Sequence, residues 1–376
     1  MQPQLFDPLN LTEEASLNSL ELRGLPGADP ACIGRHAFEV LSLHALQRLA
    51  AEAGDARMGS PDDGSVVRWL ADHGSGLPAI HTFGRRLGHL IATLTVEPAT
   101  GLSAHGWRRD FLSHWLALER VWLGGGVVAG LGSDLLAAVR PEAARLGSRV
   151  DIELASHAGE LALIGAARMW PPSYAAQVEG PRADEQAGRD DTSRNIAAAS
   201  LASGGAAMRG CAAVLDCGHS AVKRAVAFAD EGGLRRLVLL PACATTALGD
   251  DPSPEALASF VADCVSSTLE AAAEHGEPDS LVRLSLASYV RGGQPISPRG
   301  LYGRLPLQRL MAEVKVRAGD QFDVRLGHDG TLAAAGLRAP GPRAGVIVVG
   351  TYLGSGFPPP PDRLLPVAPD FSITPA

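Results

Sequence analysis

The sequence predicts an α/β fold in which helices cover a largely parallel or mixed sheet. Three observations carry that expectation. Apolar runs rich in β-formers, such as those within Ala212 to Asp230, Leu234 to Leu240 and Arg343 to Phe357, are set off by turns of Gly, Ser and Asp. Segments with helical apolar spacing lie between them. A stretch poor in large apolar residues, Pro171 to Gly210, separates two regions that each have enough hydrophobic content for a core. With 376 residues, 46% of them hydrophobic, the chain can build two domains of ordinary size.

Taken in order, His36 to Ala53 has apolar residues at helical spacing, and a second helix is expected from Ser65 to Asp72. Pro78 to Leu94 reads as a longer amphipathic helix, with Leu87, Leu90, Ile91 and Leu94 on one face. Arg109 to Leu118 is expected to be helical. Glu119 to Val139 then passes from a buried strand, through Gly124, Gly125 and Gly126, to a helix starting near Ser133. Glycines there let the backbone lie against a flat or charged ligand, and a following helix offers free amides; a tight turn in an α/β unit explains them equally. No G-x-G-x-x-G fingerprint of a dinucleotide site is present. Arg149 to Leu154 should be a strand, and Gly159 to Met169 a small-residue helix able to pack closely.

The second unit opens with a hairpin, Ala212 to Asp230, and adds a strand at Leu234 to Leu240. A helix follows from Pro254 to His275, with Ser253 as N-cap and Pro254 at the first helical position. Leu281 to Val290 is β-rich and leads into the Gly/Pro loop Arg291 to Gly303. Leu305 to Arg317 returns to helix, Phe322 to Leu326 to strand, and Leu332 to Leu337 to a helix of small residues. Arg343 to Phe357 is a buried strand followed by a glycine-laced turn, and the tail beyond it is Pro-rich and extended.

A net charge of −8 argues against a nucleic-acid backbone or an anionic membrane as the main partner, so small-molecule ligands are expected. The five cysteines are scattered and odd in number, unlike a disulfide framework. Cys211 and Cys217, at opposite ends of one strand roughly 20 Å long, cannot share a metal. The acidic N-terminal stretch does not read as a secretory signal. The longest apolar run, Val121 to Val139, is rich in Gly and broken by Ser133 and Asp134, a poor membrane span. A cytoplasmic protein is expected. None of His36, His44, His81, His89 and His114 forms a helical zinc pair, so these read as structural or surface residues.

Chemistry concentrates in a few turns. Asp216 at a strand end can hold a hydrated magnesium ion, Gly218 lets the backbone approach a phosphate, Ser220 can donate to its oxygens, and Lys223 adds positive charge. An ordinary hairpin turn has the same residue types. Asp329, between a strand and a helix, is placed either to take a proton from a substrate hydroxyl or to cap the helix. Gly350, Thr351, Gly354 and Gly356 form a candidate second phosphate hairpin.

Four pieces together, Asp216-Cys217-Gly218-His219-Ser220, His328-Asp329-Gly330-Thr331, Gly350-Thr351-Tyr352-Leu353-Gly354 and Leu123-Gly124-Gly125-Gly126, resemble the actin-like ATPase and sugar-kinase superfamily, most closely its ROK-type sugar kinases. The resemblance covers most of the chain from Leu77 onward. It implies a two-domain actin-like (ribonuclease H-like) fold with an interdomain nucleotide cleft. In the family the corresponding segments grip the first phosphates, supply the catalytic base, grip the remaining phosphates and hold the adenosine. Here the adenosine motif comes first and the other three follow with the cyclic order intact, as a circular permutation would leave them. The implied domains are 1–170 plus 341–376, which holds adenosine and is completed by the C-terminal strands, and 211–340, which carries the first phosphate turn and the base. Residues 171–210 are the linker.

The resemblance further implies ATP and Mg2+ as cofactors and a hydroxylated small molecule, a sugar among the candidates, as phosphoryl acceptor. Asp329 would be the base and Asp216 the catalytic metal carboxylate. Gly218, Ser220, Lys223, Gly350, Thr351 and Gly354 would position the phosphates, and Gly124, Gly125 and Gly126 would back the adenosine. Tyr289 and Arg291, in the 285–303 loop, would touch the acceptor. A homodimer is left open. The sequence departs from the family at His219 and Tyr352, where Gly is usual, and at His328, where Asn is usual. The family's Glu-x-Gly-His motif and Cys-rich zinc loop are missing. A nucleotide-binding or interaction protein without the chemistry is the alternative expectation; a repressor role lacks a helix-turn-helix segment to support it.

Overall fold

The computed structural model describes residues 6–52, 65–73, 78–97, 106–170, 211–249, 251–297 and 300–376. The expected linker at 171–210 lies outside them. In chain order the described elements are α1 (Ala37–Leu41), α2 (Leu43–Glu52), α3 (Ser65–His73), α4 (Pro78–Thr95), α5 (Gly106–Leu116), β1 (Arg120–Gly124), α6 (Gly126–Arg145), β2 (Asp151–Leu154) and α7 (Leu161–Met169). There follow β3 (Cys211–Cys217), β4 (Ala221–Asp230), β5 (Gly233–Ala244), α8 (Pro254–Ala273), β6 (Leu281–Leu286), β7 (Val290–Arg291) and β8 (Gln294–Pro295). The chain ends with α9 (Leu307–Ala318), β9 (Asp323–His328), α10 (Asp329–Gly336), β10 (Ala344–Val349), β11 (Leu353–Gly356) and β12 (Val367–Pro375).

The fold is mixed α/β, built on two sheets with parallel cores. One has the strand order β12-β5-β4-β3-β6-β9, the other β11-β10-β1-β2. They share a pattern. In the first, β3 pairs antiparallel with β4, while β6 lies parallel to β3 and β9 parallel to β6. In the second, β10 pairs antiparallel with β11, while β1 lies parallel to β10 and β2 parallel to β1. The second pattern is assembled from the two ends of the described chain, because its hairpin comes after its parallel pair in sequence.

Several boundaries differ from the sequence expectation, each for a local reason. The helix expected over 36–53 breaks at Ser42, whose backbone is extended (φ −76°, ψ 165°). Its hydroxyl accepts from the Ala45 amide at 3.2 Å, capping α2 as a fresh helix. The helix after the three glycines begins at Gly126 rather than near Ser133, because Gly125 at φ 95° turns the chain directly into it. The run 281–290 is strand only to Leu286, and β7 pairs with β8 in a separate small hairpin. The C-terminal strand β12 does not complete the sheet of β1 and β2; it lies parallel to β5 at the edge of the six-stranded sheet. The longest helix candidates hold: α8 is capped by Ser253, whose hydroxyl accepts from the Ala256 amide at 3.1 Å, with Pro254 following. It is also the one described helix long and apolar enough to cross a membrane, and half of that window is buried inside the molecule.

The two sheets are joined through α7 and α10. Helix α10 runs from β9 of one sheet to β10 of the other, and α7, which follows β2, packs on both α10 and β3. Small residues let their backbones touch. A Cβ on Gly165 would lie 1.7 Å from the Leu332 carbonyl oxygen, and one on Gly336 would lie 2.1 Å from that of Leu161. The contact is reciprocal, each glycine meeting the residue four positions before the other. Arg168, almost fully buried, donates from Nη1 to the Ala335 and Leu337 carbonyls at 2.5 and 2.6 Å and from Nε to Leu365 at 2.8 Å. It thereby satisfies the C-terminal carbonyls of α10. Burial lowers its pKa to about 10, which still leaves it charged at neutral pH.

Because the obstructing atoms at this crossing are backbone, they cannot rotate aside. Gly165→Ala and Gly336→Ala should each cost about 3 kcal/mol or more, the upper end for overpacked sites. Gly126→Ala, with nothing within 4 Å of the added carbon, should stay within about 0.5 kcal/mol. Urea denaturation of the three variants checks the contrast.

Candidate functional site

The parallel strands of both sheets end at one place. Gly125 follows β1, Gly350 follows β10, Asp216 lies near the end of β3, Ser285 near the end of β6, and Asp329 follows β9. Carboxyl ends of parallel strands are where α/β folds bind ligands, since the turns there can vary without disturbing the sheet. A cavity of about 750 Å3 lies among them, lined by Asp216, Gly218, Ser220, Lys223, Asp329 and, from the other sheet, Gly125, Gly126, Gly350 and Thr351. A second cavity of about 510 Å3 adjoins it. His219, Ala287, Asp329, Val348 and Tyr352 line both. A larger, open cavity of about 1060 Å3 lies at the opposite ends of β1 and β2, beside Arg120 and Asp151, and holds none of these residues.

The three glycines after β1 serve three purposes. A Cβ on Gly124 would point at Leu161, 2.5 Å away, so this residue serves packing and does not line the cavity. Gly125 passes the Val349 carbonyl too closely for any side chain. Gly126 opens onto the cavity, where the first amides of α6 have no intrahelical acceptor. The two candidate phosphate turns face each other: Ser220 Oγ and Thr351 Oγ1 are 2.9 Å apart. The Lys223 ammonium donates to the Gly159 carbonyl at 2.6 Å, tying β4 to the start of α7 while keeping its charge on the cavity wall. Gly354 belongs to the second cavity, not the first. Tyr289 lines the second cavity, whereas Arg291 lines neither.

Asp216 receives the Ser285 hydroxyl on Oδ1 at 2.8 Å, which orients its carboxylate across the cavity floor. The same cavity holds the other carboxylate, Asp329. Asp329 is not the N-cap of α10. That role falls to His328, whose Nδ1 accepts from the Thr331 amide at 3.2 Å. Burial lowers the His328 pKa to about 4, so the ring is neutral, and an accepting Nδ1 places its proton on Nε2. Nε2 lies 3.2 Å from Asp329 Oδ1, which also accepts from the Gly330 amide at 2.7 Å. Oδ2 carries neither of these bonds. Burial first, and the charge of Asp216 second, raise the Asp329 pKa to about 7. The position is rigid, since a Cβ on Gly330 would lie 2.0 Å from the Ser355 carbonyl and one on Gly356 1.9 Å from that of Gly330.

The sequence reading missed the wall supplied by the N-terminal segment. Asn18 pairs with the backbone of Leu353 in both directions, donating to its carbonyl at 2.8 Å and accepting from its amide at 2.9 Å. Phe38 stacks on Tyr352 with ring centroids 5.1 Å apart, and Tyr352 in turn receives His219 edge-on at 4.9 Å. Leu43 donates its amide to the Gly350 carbonyl at 3.2 Å. His36, expected to be structural, also lines the second cavity. Nothing in the local sequence around Asn18 or Phe38 signals these contacts, which span more than three hundred residues.

No protein-family model matches the sequence, and no curated protein matches it. Among the described residues no group of three or more His, Cys, Asp or Glu could hold a metal by itself. A cation here would depend on Asp216 together with groups of a bound ligand.

An acid with a raised native pKa stabilises the fold while protonated. The Asp329 contribution is complete below about pH 4 and is lost as pH rises through about 7. Asp329→Asn, which mimics the protonated form, should therefore be close to wild type in stability at pH 4 and more stable than wild type at pH 8. Parallel urea titrations across that range measure the difference.

Proposed function

We propose that the chain is an ATP- and magnesium-dependent phosphotransferase of the actin-like ATPase and sugar-kinase type, circularly permuted, acting on the hydroxyl of a small molecule. One observation carries the reading: a carboxylate with a pKa of about 7 stands at the junction of two cavities, one lined by facing hydroxyl- and glycine-bearing turns, the other by the 285–303 loop. The matching strand patterns of the two sheets support it, since a repeated ribonuclease H-like unit would produce them. So does the order of the second sheet, which a permuted chain would assemble from its two ends.

On this reading the larger cavity takes the nucleotide. Gly126 and the N-terminus of α6 back it, Ser220 and Thr351 donate to phosphate oxygens, and Lys223 adds positive charge. Asp216 would hold magnesium through water, and the ion would neutralise phosphate charge as it spreads in the transition state. The acceptor enters the smaller cavity. Asp329 Oδ2 takes its hydroxyl proton while His328 and Gly330 hold Oδ1, so the base is oriented by groups that do not themselves react. A pKa of about 7 keeps it substantially ionised at neutral pH yet basic enough to accept a proton.

Asp329→Asn should lower phosphoryl transfer by about 100-fold or more, the usual effect of losing a general base, while Mg-ATP still raises the melting temperature. Wild-type turnover should fall on the acid side of about pH 7. ADP release across a panel of alcohols measures the first, and thermal unfolding with and without Mg-ATP the second. A non-catalytic nucleotide-binding protein is favoured by one feature, the His219–Tyr352 pair at the boundary of the cavities, and would show the thermal shift without ADP release.

A further inference from the structure

The smaller cavity restricts the acceptor more than the reaction requires. No Lys or Arg lines it, whereas Glu13, Glu39 and Asp329 do. His328 is neutral, and burial lowers the pKa of His219 as well, with a smaller push from His44. Glu39 is paired with Arg35, which lies outside the lining, but an anionic molecule would still meet carboxylates and no Lys or Arg on the wall, a cost that grows as water is excluded.

Most of its polar side chains are also already engaged, the buried Ser288 hydroxyl being without a partner among the described residues. The Asn18 amide is held by Leu353, and the Tyr302 hydroxyl donates to the Gly218 carbonyl at 3.1 Å. His36 Nδ1 lies 3.2 Å from the Ser19 carbonyl, and the Ser19 hydroxyl donates to Ser16. The Tyr289 hydroxyl bonds the Ser16 side chain, while its ring lies flat on His328 with centroids 4.7 Å apart. A polyol would bury several hydroxyls here against few free partners, and each one left unpaired weakens binding. The remaining surface is carbon-rich: Phe38, Leu301, Val348, Tyr352 and Leu353.

Resting on the phosphotransferase reading, we infer that the acceptor is an uncharged alcohol with a largely apolar, flat body, and that polyols and anionic alcohols are excluded. Its reacting hydroxyl meets Asp329 Oδ2 and its body lies against the Phe38–Tyr352 stack. On transfer, the O–H bond breaks to Asp329, the acceptor oxygen bonds the γ-phosphorus of ATP, and the bond from that phosphorus to the bridging oxygen breaks to release ADP.

Three probes separate these features: 3-phenyl-1,2-propanediol, 3-phenyllactate, which replaces its terminal CH2OH by a carboxylate, and glycerol, which lacks the phenyl ring. Binding is read by saturation-transfer NMR and thermal shift, and turnover by ADP release. The diol should bind at least tenfold more tightly than either of the others. Phe38→Ala should weaken the diol at least tenfold while leaving the shift by Mg-ATP in place, and Tyr352→Ala should likewise weaken the diol at least tenfold. Equal binding of phenyllactate or glycerol, no binding of the diol, or unchanged diol affinity in both variants overturns the inference. Selective diol binding with no ADP from any alcohol supports the pocket's selectivity and counts against phosphoryl transfer. ADP from glycerol or glucose without diol binding does the reverse.

Discussion

The contact between α7 and α10 is the constraint on which the rest of the molecule depends. Both helices lie where the chain leaves one sheet for the other, so their separation sets how far apart the two sheets stand. Gly165 and Gly336 bring the backbones to a distance that no side chain permits, and Arg168 fills the end of the crossing by binding the carbonyls that α10 leaves open. With the spacing set in this way, the carboxyl ends of five parallel strands face a common cavity. A crossing one side chain wider would separate Ser220 from Thr351, whose hydroxyls now touch across it.

The same helix sets the chemistry at its other end. A helix N-terminus ordinarily draws a nearby carboxylate into capping, where hydrogen bonds from amides would lower its pKa. His328 takes that position instead, and two effects follow. Its Nδ1 satisfies the Thr331 amide, which directs Nε2–H to Asp329, and the Asp329 carboxylate is displaced to the junction of the cavities with one oxygen outside these bonds. Burial beside Asp216 then outweighs the amide bonds from Gly330 and from its own backbone, and the pKa rises to about 7. A histidine in the capping position thus leaves the neighbouring acid outside the cap, buried and with a raised pKa.

Local signals made much of this legible. Helical spacing, the Ser253-Pro254 start and the strand-turn boundaries at Asp216 and Gly350 depend on neighbours within a few residues, and the elements fall close to where those signals put them. What the sequence could not reveal was settled by distant partners. The division of labour among Gly124, Gly125 and Gly126 depends on Leu161 and Val349, and the fate of Lys223 on the Gly159 carbonyl. Strand β12 looked like a Pro-rich tail because its alternation is weak, yet the edge of β5 offers unpaired backbone groups that an extended chain can satisfy. Arg291 was singled out for its place in a loop, and loop position alone does not determine which way a side chain points.

The N-terminal segment shows how a surface outside both sheets comes to shape a cavity between them. Residues 6–43 contribute no strand to either sheet, so their position is set by what they grip. They grip helices α4, α5 and α6, through Arg23 at Thr93, Arg108 at Ser16 and Arg145 at Gly27, and also the turn between β10 and β11: Asn18 at Leu353, Phe38 at Tyr352, Leu43 at Gly350. Moving this turn away from the segment would break three hydrogen bonds and a stacked ring pair together. The turn also faces Ser220 through Thr351 and Asp329 through Gly354. One hairpin turn therefore links the wall of the smaller cavity to the polar turns of the larger one, and its Tyr352 lines both.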